Sequence, residues 1–177
     1  MSVPLVITAV ENEEKQRAKE ESRNLPEHIV AVDGSEHSER AFEWACDQLP
    51  KDHTLVLVHG VHKPEFRVEA MPDSEGKWME KQRRKAFEDY EFMQSARTMH
   101  RYARLCRQHE RKCEWMTVPY RSATELSDNI CSAAQRRGIS NIVCGSRGLG
   151  TLERALLGST SSGLVHNCPA NVTVVRD

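Results

Sequence analysis

The chain has 177 residues, 38% of them hydrophobic and 29% charged, and its 25 Lys and Arg residues nearly balance 26 Asp and Glu residues. This balance disfavours a strongly basic nucleic-acid-binding protein, and an aromatic content of 6% is too low for a platform that stacks single-stranded bases. The length favours one domain, and no apolar run approaches the roughly 20 residues of a membrane span.

The N-terminal residues differ in composition from the rest of the chain. An apolar stretch, 3–10, precedes an almost wholly polar and charged stretch, 11–25. We therefore interpret residues 1–26 as an extension and residues 27–177 as the folded domain. The apolar stretch lacks a preceding Lys or Arg and a typical cleavage site, so no secretory signal is predicted. The six cysteines form no Cys-x-x-Cys pair and a chain of this length needs no disulfide framework, so we expect a reducing, cytoplasmic location.

Five short apolar runs alternate with helical patterns from residue 28 onward. The runs predict buried strands at 28–33, 54–59, 114–118, 141–144 and 171–175. Ser122 and Glu125 form a capping box at the start of one predicted helix, and Gly138 is placed at its C-cap. Strands and helices that alternate five times predict an α/β fold. We expect a five-stranded parallel, doubly wound sheet of the Rossmann-like or flavodoxin-like kind, with helices on both faces.

The helical segment before the third strand has an inconsistent apolar pattern. One face, predicted to join the core, carries Phe92, Ala96, Met99, Ala103 and Cys106, and the opposite, predicted solvent face carries Arg97, Arg101 and Arg104. A partner or nucleic acid is the alternative for that arginine face. Farther towards the N-terminus the apolar residues move to another side, with Met79, Ala86 and Tyr90. Either the helix breaks near residue 88, or residues 74–90 cover a neighbouring surface: the mouth of a ligand site, a second copy of the chain or the N-terminal extension.

The chemistry is expected where the strands end, because such sheets bind ligands beyond the carboxyl ends of their strands. Asp33, Gly60 and Gly145 end the first, second and fourth predicted strands. The loop that starts at Gly145, Gly-Ser-Arg-Gly-Leu-Gly, matches neither a P-loop nor the dinucleotide fingerprint. A second cluster, which starts at Gly158 and reads Gly-Ser-Thr-Ser-Ser, opens a helix whose unpaired N–H groups would accept an anion. The two clusters predict a site for a phosphate chain, and the alternative is that these glycines only form turns and caps.

The spacing of these glycines resembles the ATP-binding signature of the universal stress protein family: Gly, two residues, Gly, nine residues, Gly, then Ser or Thr. Gly145, Gly148, Gly158 and Ser159 match this spacing without gaps. The segment 30–35, Val-Ala-Val-Asp-Gly-Ser, also resembles the opening of the family, and the resemblance covers residues 28–176. The chain departs from the family at Arg121-Ser122-Ala123, where Gly-x-Pro is frequent, and at Gly60, where a branched residue is common. The extension and the segment 62–90 have no clear counterpart.

The resemblance implies a site for ATP, or for AMP or ADP, with Mg²⁺ or Mn²⁺. The adenine would lie against Ala31, Val32 and Asp33 and against the backbone of Gly60, and Asp33 would also help to hold the metal ion. The ribose and first phosphates would follow Cys144, Gly145 and Gly148, and Arg147 would neutralise phosphate charge. The remaining phosphates would meet Gly158, Ser159, Thr160 and Ser161.

The resemblance further implies a homodimeric, nucleotide-dependent regulator or sensor in the stress response, with slow or no hydrolysis. The dimer would form through the last strand, whose apolar Val172, Val174 and Val175 lie at a predicted sheet edge. The alternatives are a dimeric scaffold without nucleotide and a slow ATPase or self-phosphorylating protein.

No catalytic residue is predicted. The chain has no P-loop lysine, no kinase catalytic loop and no identifiable base beside the phosphate-binding helix. Ser35, close to Asp33, is interpreted as a helix N-cap rather than a nucleophile. His59 and His62 alone do not make a zinc site.

Overall fold

The computed structural model describes residues 26–63, 74–147 and 157–176. The five strands are β1 (Glu27–Ala31), β2 (Thr54–His62), β3 (Cys113–Tyr120), β4 (Asn141–Gly145) and β5 (Asn171–Val175). The helices in the described ranges are α1 (Glu36–Gln48), α2 (Ser74–Gln108), α3 (Ala123–Arg137) and α4 (Ser159–Asn167). The predicted extension, apart from Pro26, lies outside these ranges, and so does Gly148. Within them, no helix is both long and apolar enough to span a membrane.

All five strands are parallel, in the order β3-β2-β1-β4-β5, so the predicted doubly wound sheet is confirmed. The chain runs outward from β1 through β2 to β3 and then returns to the other side of β1 for β4. Ile29 of β1 is in register with Ile142 of β4, and Val30 with Val143. The strand order therefore reverses between β1 and β4, and β5 lies at an edge of the sheet.

Helices cover both faces of the sheet, which explains why the strands are continuous apolar runs rather than alternating ones. One core, under α1 and α2, contains Val30, Leu55, Leu57 and Val143 with Phe42 and Tyr102. The other, under α3 and α4, contains Ile29, Val56, Val58 and Ile142 with Ile130 and Leu164. Successive strand residues alternate between the two cores because side chains of a strand point alternately to opposite faces.

The predicted ends of α3 are confirmed. The Ser122 hydroxyl accepts a hydrogen bond from the Glu125 N–H at 3.1 Å, and the Glu125 carboxylate accepts one from the Arg121 N–H at 2.8 Å. Gly138 closes the helix with a φ of 68°, a left-handed conformation that glycine adopts without strain. These local contacts fix the direction in which the chain enters β4.

Helix α2 is longer than the sheet it packs on. Its 35 residues extend about 52 Å at 1.5 Å per residue, whereas the nine residues of β2 extend about 30 Å. The helix is continuous, which excludes the first of the two alternatives, a break near residue 88. The predicted core face is wrong towards the N-terminus, because Phe92 is 72% and Met99 37% exposed. There the helix extends along and past the ends of the strands, and Tyr102, fully buried, anchors the part that packs on the sheet.

Four of the six cysteines form disulfides, which the sequence analysis did not expect. Cys106 at the end of α2 is bonded to Cys113 at the start of β3, and Cys131 of α3 to Cys168, the C-cap of α4. Cys106 and Cys113 are seven residues apart, across the turn between α2 and β3, whereas Cys131 and Cys168 are 37 residues apart and meet where α3 packs against α4. Neither separation by itself indicates a bond. The remaining two, Cys46 and Cys144, are buried thiols.

Candidate functional site

The carboxyl ends of β1 and β4 lie side by side where the strand order reverses. Asp33 and Ser35 follow β1, and Ser146 and Arg147 follow β4. The start of α4 is joined to this edge, because the Gly158 N–H donates to the Ser146 carbonyl at 2.7 Å. The fold therefore brings the ends of two strands and one helix N-terminus together, as doubly wound sheets do at ligand sites.

The turn after β1 is held by Asp33. Its Oδ1 accepts hydrogen bonds from the backbone N–H of Ser35 at 3.0 Å and from the Ser35 hydroxyl at 2.6 Å. Ser35 in turn is the N-cap of α1, as predicted, and its hydroxyl accepts from the Ser38 N–H at 3.2 Å. Gly34 lies between them with a φ of 85°, which favours glycine. The half-buried Asp33 side chain is thus fixed at the end of β1.

Two side chains of helix α2 form hydrogen bonds with this turn and with the start of α1. The Tyr102 hydroxyl and the Ser38 hydroxyl are 2.9 Å apart, and the Ser38 hydroxyl donates to the Ser35 carbonyl at 2.9 Å. Arg101 donates to the Gly34 carbonyl at 3.0 Å and pairs with Glu39. Burial raises the pKa of Tyr102 to about 12, so its phenol stays protonated and available for this hydrogen bond. Arg101 was predicted to lie on a face for solvent, with a partner or nucleic acid as the alternative, and nothing in the helical spacing singled out Tyr102.

Ala31 ends β1, and Val32, which follows it, is held by hydrogen bonds of its main chain. The buried Val32 donates its N–H to the Val58 carbonyl at 2.9 Å, and its own carbonyl is 2.9 Å from the Nδ1 of His59, which donates to it. Both main-chain groups of Val32 are therefore bonded within the protein, and its side chain is packed in the core under α1 and α2. His59, which the sequence analysis considered only as a metal ligand, instead holds the end of β1.

Gly60 lies inside β2 rather than at its end. The strand continues to His62, paired with β3 up to Tyr120. A Cβ on Gly60 would lie 2.9 Å from the side chains of both Leu126 and Tyr120, so the glycine permits this close packing. Gly60 directs its N–H and carbonyl to the same side as Val58, and β1 ends at Ala31, the register partner of Val58. The main chain of Gly60 therefore faces the space beyond the end of β1.

Cys144 and Gly145 end β4 in a tightly packed setting. A Cβ on Gly145 would lie 2.6 Å from the main-chain oxygen of His37, so glycine is needed where α1 crosses the strand. The Ser161 hydroxyl donates to the Gly145 carbonyl at 2.7 Å. Burial raises the pKa of the Cys144 thiol to about 11, which keeps it uncharged. Cys144 thus forms an apolar wall, and Ser161 connects α4 to β4 with its hydroxyl.

The N-terminus of α4 presents main-chain donors at the site. Its N-cap is Gly158, and no side chain in the described part of the chain caps the helix with a hydrogen bond. Ser159 is exposed, Thr160 half-buried and Ser161 buried. Uncapped N–H groups in a first helical turn attract anions through their partial positive charge. Ser159 and Thr160 therefore offer both hydroxyls and main-chain N–H groups, whereas Ser161 contributes its main-chain N–H.

The structure contains little that suggests a resident metal centre. Among the described residues, no three His, Cys, Asp or Glu side chains are grouped so that they would hold a metal ion. His62 contacts Phe87 and Tyr120, whereas His59 bonds to Val32, so these histidines serve separate packing roles. Asp33 is the carboxylate at the site, which suits an ion such as Mg²⁺ that binds one or two carboxylates together with phosphates.

A comparison with known families settles the classification. The model of the universal stress protein family matches residues 28–176. The chain belongs to the universal stress protein family. A universal stress protein of Staphylococcus haemolyticus is 28% identical over 149 residues, which span 84% of this chain and 82% of that protein.

Solved structures of universal stress proteins share this fold. The AMP-bound protein from Arabidopsis thaliana is 21% identical, with a TM-score of 0.53, over 85% of this chain and 90% of the other. The Archaeoglobus fulgidus protein in complex with dAMP is 16% identical, with a TM-score of 0.56, over 86% and 98%. At these identities the likeness establishes the fold.

Proposed function

We propose that this universal stress protein binds an adenine nucleotide where β1, β4 and α4 meet. The observation that carries the proposal is the uncapped N-terminus of α4, connected to the end of β4 beside the fixed carboxylate of Asp33. Two proteins of the same fold were solved with AMP and dAMP, which supports an adenine nucleotide as the ligand class.

The residues present fit such a ligand. Ala31 and Cys144 have side chains on the same face of the sheet and would supply apolar walls for the base and ribose, whereas the Val32 side chain is buried in the core under α1 and α2. Gly60 offers main-chain groups beyond the end of β1. Phosphates would meet the N–H groups and hydroxyls of Ser159 and Thr160 at α4. Arg147, half-buried after β4, would add positive charge, and Asp33 would hold a Mg²⁺ or Mn²⁺ ion shared with the phosphates.

The phosphate site can be tested by blocking the approach to α4. Gly158→Val places a branched side chain at the N-cap, where the main-chain φ of −67° is accessible to valine. Because Gly158 is buried, circular dichroism must first show that this variant folds. Gly148→Val is the corresponding variant in the preceding loop, and Asn167→Ala at the other end of α4 is the control. Loss of ATP binding in both glycine variants but not in the control is expected, and unchanged affinity in the folded glycine variants would contradict the site.

We propose further that the nucleotide is held rather than consumed, as in a regulator or sensor. A helix N-terminus stabilises ground-state phosphates about as well as a transition state, so it strengthens binding without accelerating turnover. Steady-state hydrolysis should be far below the roughly 1 to 100 per second of dedicated kinases. A rate in that range by pure protein, lost in Asp33→Ala, would favour the enzymatic alternative.

The proposal includes a homodimer formed through β5. This strand lies at an edge of the sheet, and Val172, Val174 and Val175 remain half-buried in the single chain. An apolar edge strand pairs readily with another chain unless something covers it. Light scattering at micromolar concentration should report twice the chain mass, and a monomer would contradict the dimer.

A further inference from the structure

A groove separates the N-terminal half of α2 from the ends of β2 and β3. Its volume is about 850 Å³, and Phe87, Phe92 and Met99 of α2 line one side. Val61 of β2 and Trp115 of β3 line the other. The groove therefore lies beside the middle of α2, against Phe92 and Met99 of the predicted core face. Charged side chains line it as well: Lys63, Arg84, Glu88, Glu91 and Arg121.

The same helix carries most of the exposed apolar surface. Of the six large apolar side chains exposed in the described residues, five are on α2: Met79, Tyr90, Phe92, Met93 and Met99. Of these five, Phe92 and Met99 line the groove, whereas Met79, Tyr90 and Met93 lie outside its lining. Two exposed apolar side chains beside one groove indicate an interaction site.

The chain itself contains a segment of matching chemistry. Residues 3–10, Val-Pro-Leu-Val-Ile-Thr-Ala-Val, include no charged residue and only one polar side chain. They are joined to β1 by the polar stretch 11–25. Exposure of such an apolar segment to water is unfavourable, because burying its surface lowers the free energy.

The connecting stretch is long enough to reach the groove. The Pro26 carbonyl accepts from the Thr54 N–H at 3.1 Å, so the stretch ends beside the start of β2. The groove lies at the other end of β2, about 30 Å away for nine residues. The 15 residues of 11–25 span up to about 50 Å when extended.

The charges of the two segments are complementary. Helix α2 contains nine Lys and Arg against five Asp and Glu. The whole stretch 11–25 contains five Glu against four Lys and Arg, and three of those Glu lie in the acidic stretch 11–14. The acidic stretch directly follows the apolar segment, so it would lie along the basic helix when the segment is in the groove.

We infer that residues 3–10 dock into the groove between α2 and Trp115 of their own chain. The extension then covers the apolar side of α2 that the sheet does not reach. This inference does not depend on nucleotide binding.

The fluorescence of Trp115 tests the docking. In a Trp44→Phe, Trp78→Phe background of the full chain, Trp115 is the single tryptophan. Adding Leu5→Asp and Ile7→Asp should at least double the acrylamide quenching constant of Trp115, with the helical circular dichroism unchanged. The matched control, Gln16→Asp with Ala18→Asp, places the same charges in the polar stretch and should leave quenching unchanged. Equal quenching in the apolar-segment variant and its parent would overturn the inference.

Two further measurements, with a substitution in the groove and with a series of protein concentrations, test whether residues 3–10 of the same chain occupy the groove. Phe92→Glu should raise quenching similarly, and combining it with Leu5→Asp and Ile7→Asp should add nothing further, since both changes break one contact. Additive effects would place the segment elsewhere and overturn the inference. Protection of Trp115 should also be independent of concentration from about 1 to 100 µM. Protection that increases with concentration would assign the groove to a second copy and likewise overturn it.

Discussion

The substitution Ser159→Asp should weaken ATP binding without lowering the free energy of unfolding, so it distinguishes an effect on binding from an effect on folding. Ser159 is the exposed first residue of α4, where a carboxylate interacts favourably with the helix dipole. Such an interaction stabilises a helix by about 0.3 to 1 kcal/mol. The free energy of unfolding should therefore stay the same or rise slightly.

The same carboxylate should repel a bound phosphate. A phosphate seated on the N–H groups of Ser159 and Thr160 would lie about 5 Å from it. Two unit charges at that distance repel by about 1 kcal/mol in water and about 3 kcal/mol near a protein surface. We therefore expect ATP affinity to fall about 5-fold to 150-fold.

The assay is calorimetric titration of ATP, with Ser159→Asn as the neutral control of similar shape. The difference between the two variants should narrow at higher salt, because salt screens the repulsion between exposed charges. Affinities of the Asp and Asn variants that agree within twofold at low salt would refute the placement of phosphate at α4.

Three further substitutions test the packing around the site by urea denaturation. Tyr102→Phe removes the hydroxyl that hydrogen-bonds a buried serine and should lower the free energy of unfolding by about 1 kcal/mol; an unchanged midpoint would show that this bond adds nothing. Gly145→Ala should cost about 1 to 3 kcal/mol, because its Cβ would lie 2.6 Å from the His37 carbonyl oxygen, and wild-type stability would contradict that contact. Burial, and next the neighbouring His53, lower the pKa of His28, so the unfolded chain binds a proton more readily than the folded one. The free energy of unfolding should therefore have its full value above the ordinary histidine pKa and should decrease as the pH drops below it. The substitution His28→Gln should make this decrease smaller between about pH 7.5 and about pH 5.5. An identical decrease in both proteins would rule out His28 as its source.

Local sequence patterns predicted the elements well where neighbouring residues determine the structure. The strand 171–175 coincides with β5 (Asn171–Val175), and the capping box and Gly138 bound α3 as expected. These features depend on contacts within a few residues, which the order of residue types expresses directly.

Features that depend on distant parts of the chain were not predicted. The core face of α2 was wrong at Phe92 because helical spacing does not show where the underlying sheet ends. Gly60 was placed at a strand end, whereas β2 continues to His62 because β3 continues beside it. The predicted hydroxyl donor Ser161 bonds to Gly145, a main-chain contact 16 residues away. Strand ends and glycine spacing led to the site proposed where β1, β4 and α4 meet, and the packing shows which contacts its individual residues make.

Direct titration of ATP with Mg²⁺ into the full chain, stripped of any co-purified nucleotide, tests the central claim most directly. The account predicts saturable binding of one adenine nucleotide per chain, and mass spectrometry of protein denatured before stripping should find the same class of nucleotide. No binding at millimolar ATP, together with no nucleotide released from freshly purified protein, would contradict the account and favour a scaffold without nucleotide.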